Sequence, residues 1–266
     1  MTGSTIDINS DCGESFGNWK MGADEMVLPR VTTANVACGF HGGDPVTLVR
    51  TVEMALENGV EVGAHPGLPD LLGFGRRRMA ISPDDAYAYI VYQVGALQGI
   101  LRAQGGTLHH VKPHGSLAMM LMTENDLAEA VAAAIADTCD DPMLYLPGPL
   151  DGVAMAEAAA KYGVRTVAEV YPDLSYDDDG SLVVQRQKAH TPVQDVADQI
   201  TRFVQEGKVQ TLSGKLIDLD AESICVHGDG PNAAEVIDTL RTAIEQCGQT
   251  IAPLAPTAPA RTVAAD

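Results

Sequence analysis

The feature that most limits what this chain can fold into is a regular exchange of hydrophobic period. Short β-rich runs at residues 5–9, 31–37, 60–64, 107–112, 143–146, 164–170 and 223–226 alternate with helical patterns at 45–58, 83–104, 125–138, 150–162, 192–206 and 231–247. Strands joined through helices lie parallel in one sheet with crossover connections. Seven strand candidates favour a distorted or incomplete TIM-like α/β barrel over an open doubly wound sheet. Helix starts are marked by Ser82-Pro83-Asp84-Asp85 and Thr123-Glu124-Asn125-Asp126, where a side-chain oxygen can satisfy free N–H groups and acids suit the helix dipole. With 266 residues, 45% of them hydrophobic, the chain can bury one barrel-sized core. We expect that single domain over residues 1–252, followed by a disordered tail at 253–266, which is rich in Pro, Ala and Thr.

Two stretches break the alternation. Residues 172–190 are polar and carry Asp177-Asp178-Asp179-Gly180, a turn signal between two hairpin arms that could close over a pocket as a lid. Residues 209–221, with Ser213-Gly214-Lys215 between apolar runs, read as a second small hairpin.

A net charge of −19 argues against nucleic acid or an anionic membrane as partner, and Arg76-Arg77-Arg78 is too short a basic cluster to reverse that. Five cysteines without a C-x-x-C pair fit reduced thiols in a cytoplasmic protein. No signal peptide is expected from the first residues, and no apolar run reaches the ~20 residues of a membrane helix.

Five turns between a strand and a helix carry the reactive side chains. They are Asp7-x-Asn9-x-Asp11-x-x-Glu14, Asn35-x-x-Cys38-Gly39-Phe40-His41-x-x-Asp44, Gly63-Ala64-His65-Pro66, Lys112-Pro113-His114-Gly115 and Val226-His227-Gly228-Asp229. In a parallel barrel all such loops meet at one face, giving a pocket of His, carboxylate and Lys. Asp7, Asn9 and Asp11 share a strand face if the backbone stays extended, although a strand ending near Asn9 would leave Asp11 in the loop. His109 and His110 point to opposite faces of a regular strand and read as core or rim residues. Cys38 and Cys225 read as buried packing residues, and the run Met119-Met120-Leu121-Met122 as helix and core, with Met119 alone near enough to the Lys112 motif to line a pocket wall.

Together with Gly73-Phe74-Gly75-Arg76, and in this order along the chain, these motifs resemble the LamB/YcsF family. The resemblance implies a distorted TIM-like barrel related to polysaccharide deacetylases. It also implies ATP-dependent opening of the lactam ring of 5-oxoproline to glutamate, in company with two further subunits of B and C type. Three places depart from the family pattern: Ser116-Leu117-Ala118-Met119 stands where Ala-Leu-Tyr-Asn is usual, Asp173-Leu174 replaces an Asp-Arg pair, and Leu182-Val183-Val184-Gln185 replaces Leu-Val-Pro-Arg, with Arg186 one residue further on.

Lactam opening needs a polarised carbonyl, a deprotonated water and a proton for the ring nitrogen. We therefore expect Asp11, His41, Lys112, His114 and Asp229 in the reacting shell, and Asp7, Asn9, Glu14, Asn35, Asp44, Arg76 and His227 as substrate-binding groups. Asp11, His41 and His65 offer the donors of a divalent metal site, at a spacing that is not diagnostic. Gly214-Lys215 is followed by Leu216 and lacks an upstream P-loop glycine, so ATP is expected to be handled with the partner subunits. Two alternatives stand beside this reading: a stand-alone metal-dependent amide hydrolase or deacetylase, and a non-catalytic subunit that binds a small acid.

Overall fold

The computed structural model describes residues 5–183, 190–228 and 230–255. In chain order its elements are β1 (Thr5–Cys12), α1 (Asp24–Val27), β2 (Thr33–Ala37), α2 (Pro45–Glu57), β3 (Glu61–His65), α3 (Pro83–Ala103), β4 (Leu108–Val111), α4 (Gly115–Leu121), α5 (Asn125–Thr138) and β5 (Met143–Pro147). They continue as α6 (Ala154–Tyr162), β6 (Arg165–Val170), β7 (Ser175–Tyr176), β8 (Leu182–Val183), α7 (Val193–Glu206), β9 (Lys208–Gln210), β10 (Leu216–Asp218), β11 (Ser223–Cys225), α8 (Ala233–Gln246) and β12 (Thr250–Ile251).

Strands β1 to β6 pair in sequence order, all parallel, and β11 lies between β6 and β1. The ring closes through Asp7 opposite Ser223, Ile8 opposite Ile224 and Asn9 opposite Cys225. The expected seven-stranded parallel barrel is therefore the fold, with closure made by the shortest of its strands. β12 adds alongside β1 outside the ring. Among the described residues no helix is long and apolar enough to cross a membrane.

Strand parity sets what lies on each side of the barrel wall. Ile6, Ile8, Ala34, Val36, Val62, Ala64, Leu144, Leu146, Val170, Ile224 and Val226 are buried in the main hydrophobic core with the apolar stripes of the helices, such as Leu48, Val52 and Ala55 of α2 and Val236, Ile237, Leu240 and Ile244 of α8. Each such large side chain contributes about 1.5–3 kcal/mol by leaving water. The alternate residues make a polar lumen: Asp7, Asn9, Asn35, His65, His110, Lys112, Glu169 and Ser223 are all buried and hydrogen-bonded or ion-paired to one another across the ring.

β1 runs to Cys12, so Asp11 stays on the strand in phase with Asp7 and Asn9 rather than in the loop. β4 departs from regularity. Val62 pairs with Leu108 but Ala64 with Val111, so one residue of β3, Gly63, faces two of β4, His109 and His110. This bulge is the reason that His109 and His110, expected on opposite faces, are both buried in contact with each other.

The Ser82 start signal forms a full capping box with Asp85. At the other predicted start, Glu124 rather than Thr123 is the cap residue, and it makes no side-chain cap. Both expected hairpins form, β7 with β8 and β9 with β10, and the Asp178 tip of the first accepts from Thr211 and Ser213 of the second. The expected tail begins too early at 253. Leu254 is buried against Tyr145 and Val167, and its carbonyl meets His109, so residues up to 255 belong to the barrel. The rest of that tail, 256–266, lies outside the described residues, as do Gln185 and Arg186.

Candidate active site

The C-terminal ends of the strands surround a cavity of about 310 Å³ lined by Asp11, His65, Arg76, Lys112, His114, Tyr171 and His227 on its polar side, and by Ala118, Met119, Pro147, Leu174 and Leu182 on its apolar side. Of the positions that depart from the family motifs, Ser116, Ala118, Met119 and Leu174 face this cavity, and Val184 and Gln185 lie outside the described residues. Met119 is half exposed on α4, whereas Met120 and Leu121 pack inward.

Lys112 anchors the polar wall. Its ammonium lies 3.2 Å from Asp11 Oδ1 and 3.3 Å from Glu169 Oε1, donates to Asn9 Oδ1 at 3.2 Å and to Cys225 Sγ at 2.9 Å, and sits 5.5 Å from the centre of the Tyr171 ring. Burial opposes the charge on Lys112, but the Asp11 and Glu169 carboxylates, with the hydrogen bond that Cys225 accepts, push its pKa well above the ordinary value. Burial likewise opposes ionisation of Asp11, yet His65 and Lys112 hold its carboxyl well below the usual range. Cys225 stays a thiol, since burial raises it further than Lys112 lowers it. Glu169 also accepts from Tyr171 Oη at 2.7 Å and from Asn9 Nδ2 at 2.7 Å. The sequence offered no signal for Glu169 or Tyr171, because Glu169 lies inside, and Tyr171 directly after, a run that reads as an ordinary buried strand.

A second group stands beside this pair. The rings of His41 and His114 stack with centroids 3.7 Å apart and planes within 2°, and His65 meets both edge-on. Glu14 Oε1 is 3.6 Å from His41 Nε2 and 3.8 Å from His114 Nδ1. The packing leaves no slack: a Cβ on Gly67 would fall 2.5 Å from His41 Nδ1, and one on Gly75 would fall 2.7 Å from His41 Cβ. Gly75 also has a φ of +62°, a conformation glycine adopts without strain.

The protons in this cluster follow from its partners. His65 Nδ1 lies 2.6 Å from the Lys112 carbonyl and His114 Nε2 lies 2.8 Å from the Phe74 carbonyl, so each of these nitrogens donates. The remaining nitrogens, His65 Nε2 and His114 Nδ1, face each other at 2.9 Å, and in the neutral rings both carry lone pairs. Among the described residues His41 has no hydrogen-bond partner on either ring nitrogen, although it is fully buried. Burial first, and then the neighbouring histidines, lower the pKa of His41 and of His114 well below the ordinary value, which keeps the lone pairs available. Ligand atoms of Glu14, His41, His65 and His114 all lie within 4.8 Å of one another. Such a convergence of lone pairs around a carboxylate fits a divalent cation.

The structure divides the expected metal donors between two groups. His41 and His65 converge with Glu14 and His114, whereas Asp11, 3.4 Å from His65 Nε2, groups instead with Cys225 and His227. His227 approaches Asp11 at 4.0 Å and is held by Asp173 at 3.0 Å. Other expected substrate contacts lie elsewhere. Asp7 is deep in the lumen, accepting from Thr32, Thr33 and Ser223. Asn9 and Asn35 reach the cavity only through Asp11 and Lys112. Asp44 caps α2 by accepting from Val46 and Thr47 and also binds the Gly17 amide, so its carboxylate serves the backbone. Asp229 lies outside the described residues.

Fold and site define a parallel-barrel protein whose strand ends present a Lys112–Asp11 ion pair at a cavity wall and a histidine–carboxylate cluster beside it. The chain belongs to the LamB/YcsF family, whose model matches residues 6–259. It is 46% identical over 250 residues to the A-type subunit of 5-oxoprolinase from Shouchella clausii, covering 93% of this chain and 98% of that one. The protein of the same name from Pyrococcus horikoshii is 44% identical over 252 residues, covering 94% and 97%. The lactam utilization protein of Thermus thermophilus superposes with a TM-score of 0.85 at 41% identity, over 93% of this chain and 99% of that structure.

Proposed function

We propose that this chain is the lactam-opening component of an ATP-dependent 5-oxoprolinase that works with further subunits. The observation that carries the reading is the Lys112–Asp11 ion pair at the cavity wall, 3.2 Å apart and next to the histidine cluster. An ionised Asp11 can take a proton from the attacking water, and the Lys112 ammonium can donate to the oxygen on which charge develops. As the C–N bond breaks, the ring nitrogen recovers a proton from Asp11, giving a free amine and a carboxylate. Arg76, over the Phe74 ring at 5.1 Å and lining the cavity, would bind the substrate carboxylate. Glu14, His41, His65 and His114 would hold a divalent cation, which when bound supplies a Lewis acid beside the reacting carbonyl. ATP is assigned to the assembly, because Gly214 and Lys215 lie in the small β9–β10 hairpin without a phosphate-binding loop.

The test is glutamate release from 5-oxoproline with and without ATP, using this chain alone and then with the partner subunits from its own source. Product only in the complete ATP-containing mixture supports the proposal, and none in a competent mixture refutes it. A second reading, an amide hydrolase that acts with metal and without ATP, draws on the same lone-pair cluster. Turnover by the chain alone, abolished by chelation and restored by Zn²⁺, would favour it.

A further inference from the structure

His109 and His110 lie in the lumen beneath the mouth, and lactam opening makes no use of them. Their Nδ1 atoms are 2.9 Å apart. The partners of the two outer nitrogens decide where the protons are. His109 Nε2 is 2.8 Å from the carbonyl oxygen of Leu254, which can only accept, so this nitrogen donates. His110 Nε2 is 2.6 Å from Asn35 Oδ1. The orientation of that amide is fixed by a chain of contacts beginning at Lys112, which can only donate. Lys112 Nζ faces Asn9 Oδ1, so the other end of Asn9 is its NH₂, directed at Glu169 Oε1 and Ser223 Oγ, each at 2.7 Å. The Asn9 oxygen also accepts from Asn35 Nδ2 at 2.7 Å, and the same Asn35 nitrogen donates to Asp11 Oδ1 at 2.9 Å. Asn35 therefore presents its oxygen to His110, and His110 Nε2 must donate. Two neutral rings held in this way would point bare Nδ1 lone pairs at each other across a hydrogen-bonding distance.

We propose that His109 and His110 bind one proton jointly, held between their Nδ1 atoms as an imidazolium–imidazole hydrogen bond, and that His110 is thereby a positioning residue that orients Asn35 against Asp11. Unlike the His65–His114 contact, this pair has no carboxylate or thiol among the described residues to complete a metal site with it. A proton is the cation that fits. The groups facing it are Asp7 and Asp11 of β1, His65 of β3, Lys112 just past the end of β4 and the Tyr145 ring of β5, stacked 4.1 Å from His110. Asp7 is the carboxyl that acts on His109; burial raises its pKa, and the hydrogen bonds from Ser223, Thr32 and Thr33 and the charge on His109 work against that rise. Burial, together with the charges of His109 and Lys112, keeps His110 from taking a second proton. The shared proton does not depend on which substrate the cavity takes.

Nuclear magnetic resonance of the full chain with ring-¹⁵N histidine tests it directly. The expected result near pH 7 is one exchange-protected Nδ1 proton coupled to the nitrogens of both rings. Two unprotonated Nδ1 atoms would overturn the proposal. A second measurement uses His109→Gln, whose neutral amide can donate to His110 Nδ1 and so replace the bound proton. The native pair holds a proton that its unfolded counterpart releases above pH ~6.5. The stability difference between wild type and variant should then be flat below that pH and change against wild type by about tenfold in the unfolding equilibrium per pH unit above it. A difference with no such pH dependence overturns the proposal, and if the variant does not fold, the resonance on the wild type decides alone.

Discussion

Gly63 tests the packing of the lumen. It does not have a left-handed backbone, so alanine there meets no conformational penalty. The added Cβ would instead fall 2.2 Å from His110 Nε2, 2.3 Å from Cε1 and 2.5 Å from Cδ2, all well inside contact distance. His110 cannot retreat, because it is buried, stacked on Tyr145 and hydrogen-bonded to Asn35 and His109. Overpacking a well-filled interior costs about 1–3 kcal/mol, and displacing the ring also breaks its bond to Asn35, worth about 1 kcal/mol. Gly63→Ala should therefore destabilise by about 2–4 kcal/mol, measured by urea unfolding followed by circular dichroism. The double variant Gly63→Ala/His110→Ala removes the clash and should be less destabilised than the sum of the two single changes by at least ~0.5 kcal/mol. A single variant within about 0.5 kcal/mol of wild type, or strict additivity, would refute this packing.

Lys112→Met leaves Asp11 and Glu169 without their cation and should cost about 3–5 kcal/mol, with Glu169→Gln in the same background recovering part of it by urea unfolding. Because the Lys112 pKa is raised on folding, its contribution is complete below the unfolded value near ~10.4 and is lost as pH rises through the higher folded value, so wild type should lose stability relative to Lys112→Met only in strong alkali. Truncation after residue 252 removes the buried Leu254 and the acceptor of His109, and should lower stability by about 2–5 kcal/mol in thermal unfolding; an unchanged melting temperature would restore the shorter domain boundary. Asp44→Ala should cost about 0.5–2 kcal/mol through loss of the α2 cap while leaving ligand affinity unchanged by calorimetry, and weakened binding would return Asp44 to the site.

The periodicity carried most of the fold. All seven barrel strands and the six longer helical patterns were legible, because each apolar stripe packs on a neighbour of the same kind. Of the short helix α4 only the Met119-Met120-Leu121 part was read as helix, because its start follows directly on the Lys112-Pro113-His114 turn. Local sequence could not reveal the β4 bulge, which is a property of pairing with β3, and so it concealed that His109 and His110 share the lumen. At the site, Asp11, His65, Lys112, His114 and His227 were recoverable as strand-end residues and Arg76 from the Gly73-Phe74-Gly75-Arg76 motif, and the structure gathers them at one cavity. Glu169 was not recoverable, because its partner Asn9 is 160 residues away, nor was Tyr171, which bonds Glu169 and meets Lys112 only across the folded barrel. Asp44 misled for a physical reason: a carboxylate just before a helix is as useful to the backbone as to a ligand.

The barrel wall of this chain sorts residues by whether they fall on odd or even places along a strand. On β1 one series, Ile6 and Ile8, is fastened to the helical jacket, and the interleaved series Asp7, Asn9 and Asp11 carries the polar interior. A saturation scan of this strand should therefore read as stripes. One stripe would tolerate hydrophobic exchange and report on abundance, while the other would accept almost no exchange and report on turnover. Two separate mutational alphabets are thus written in alternate letters of the same eight-residue strand.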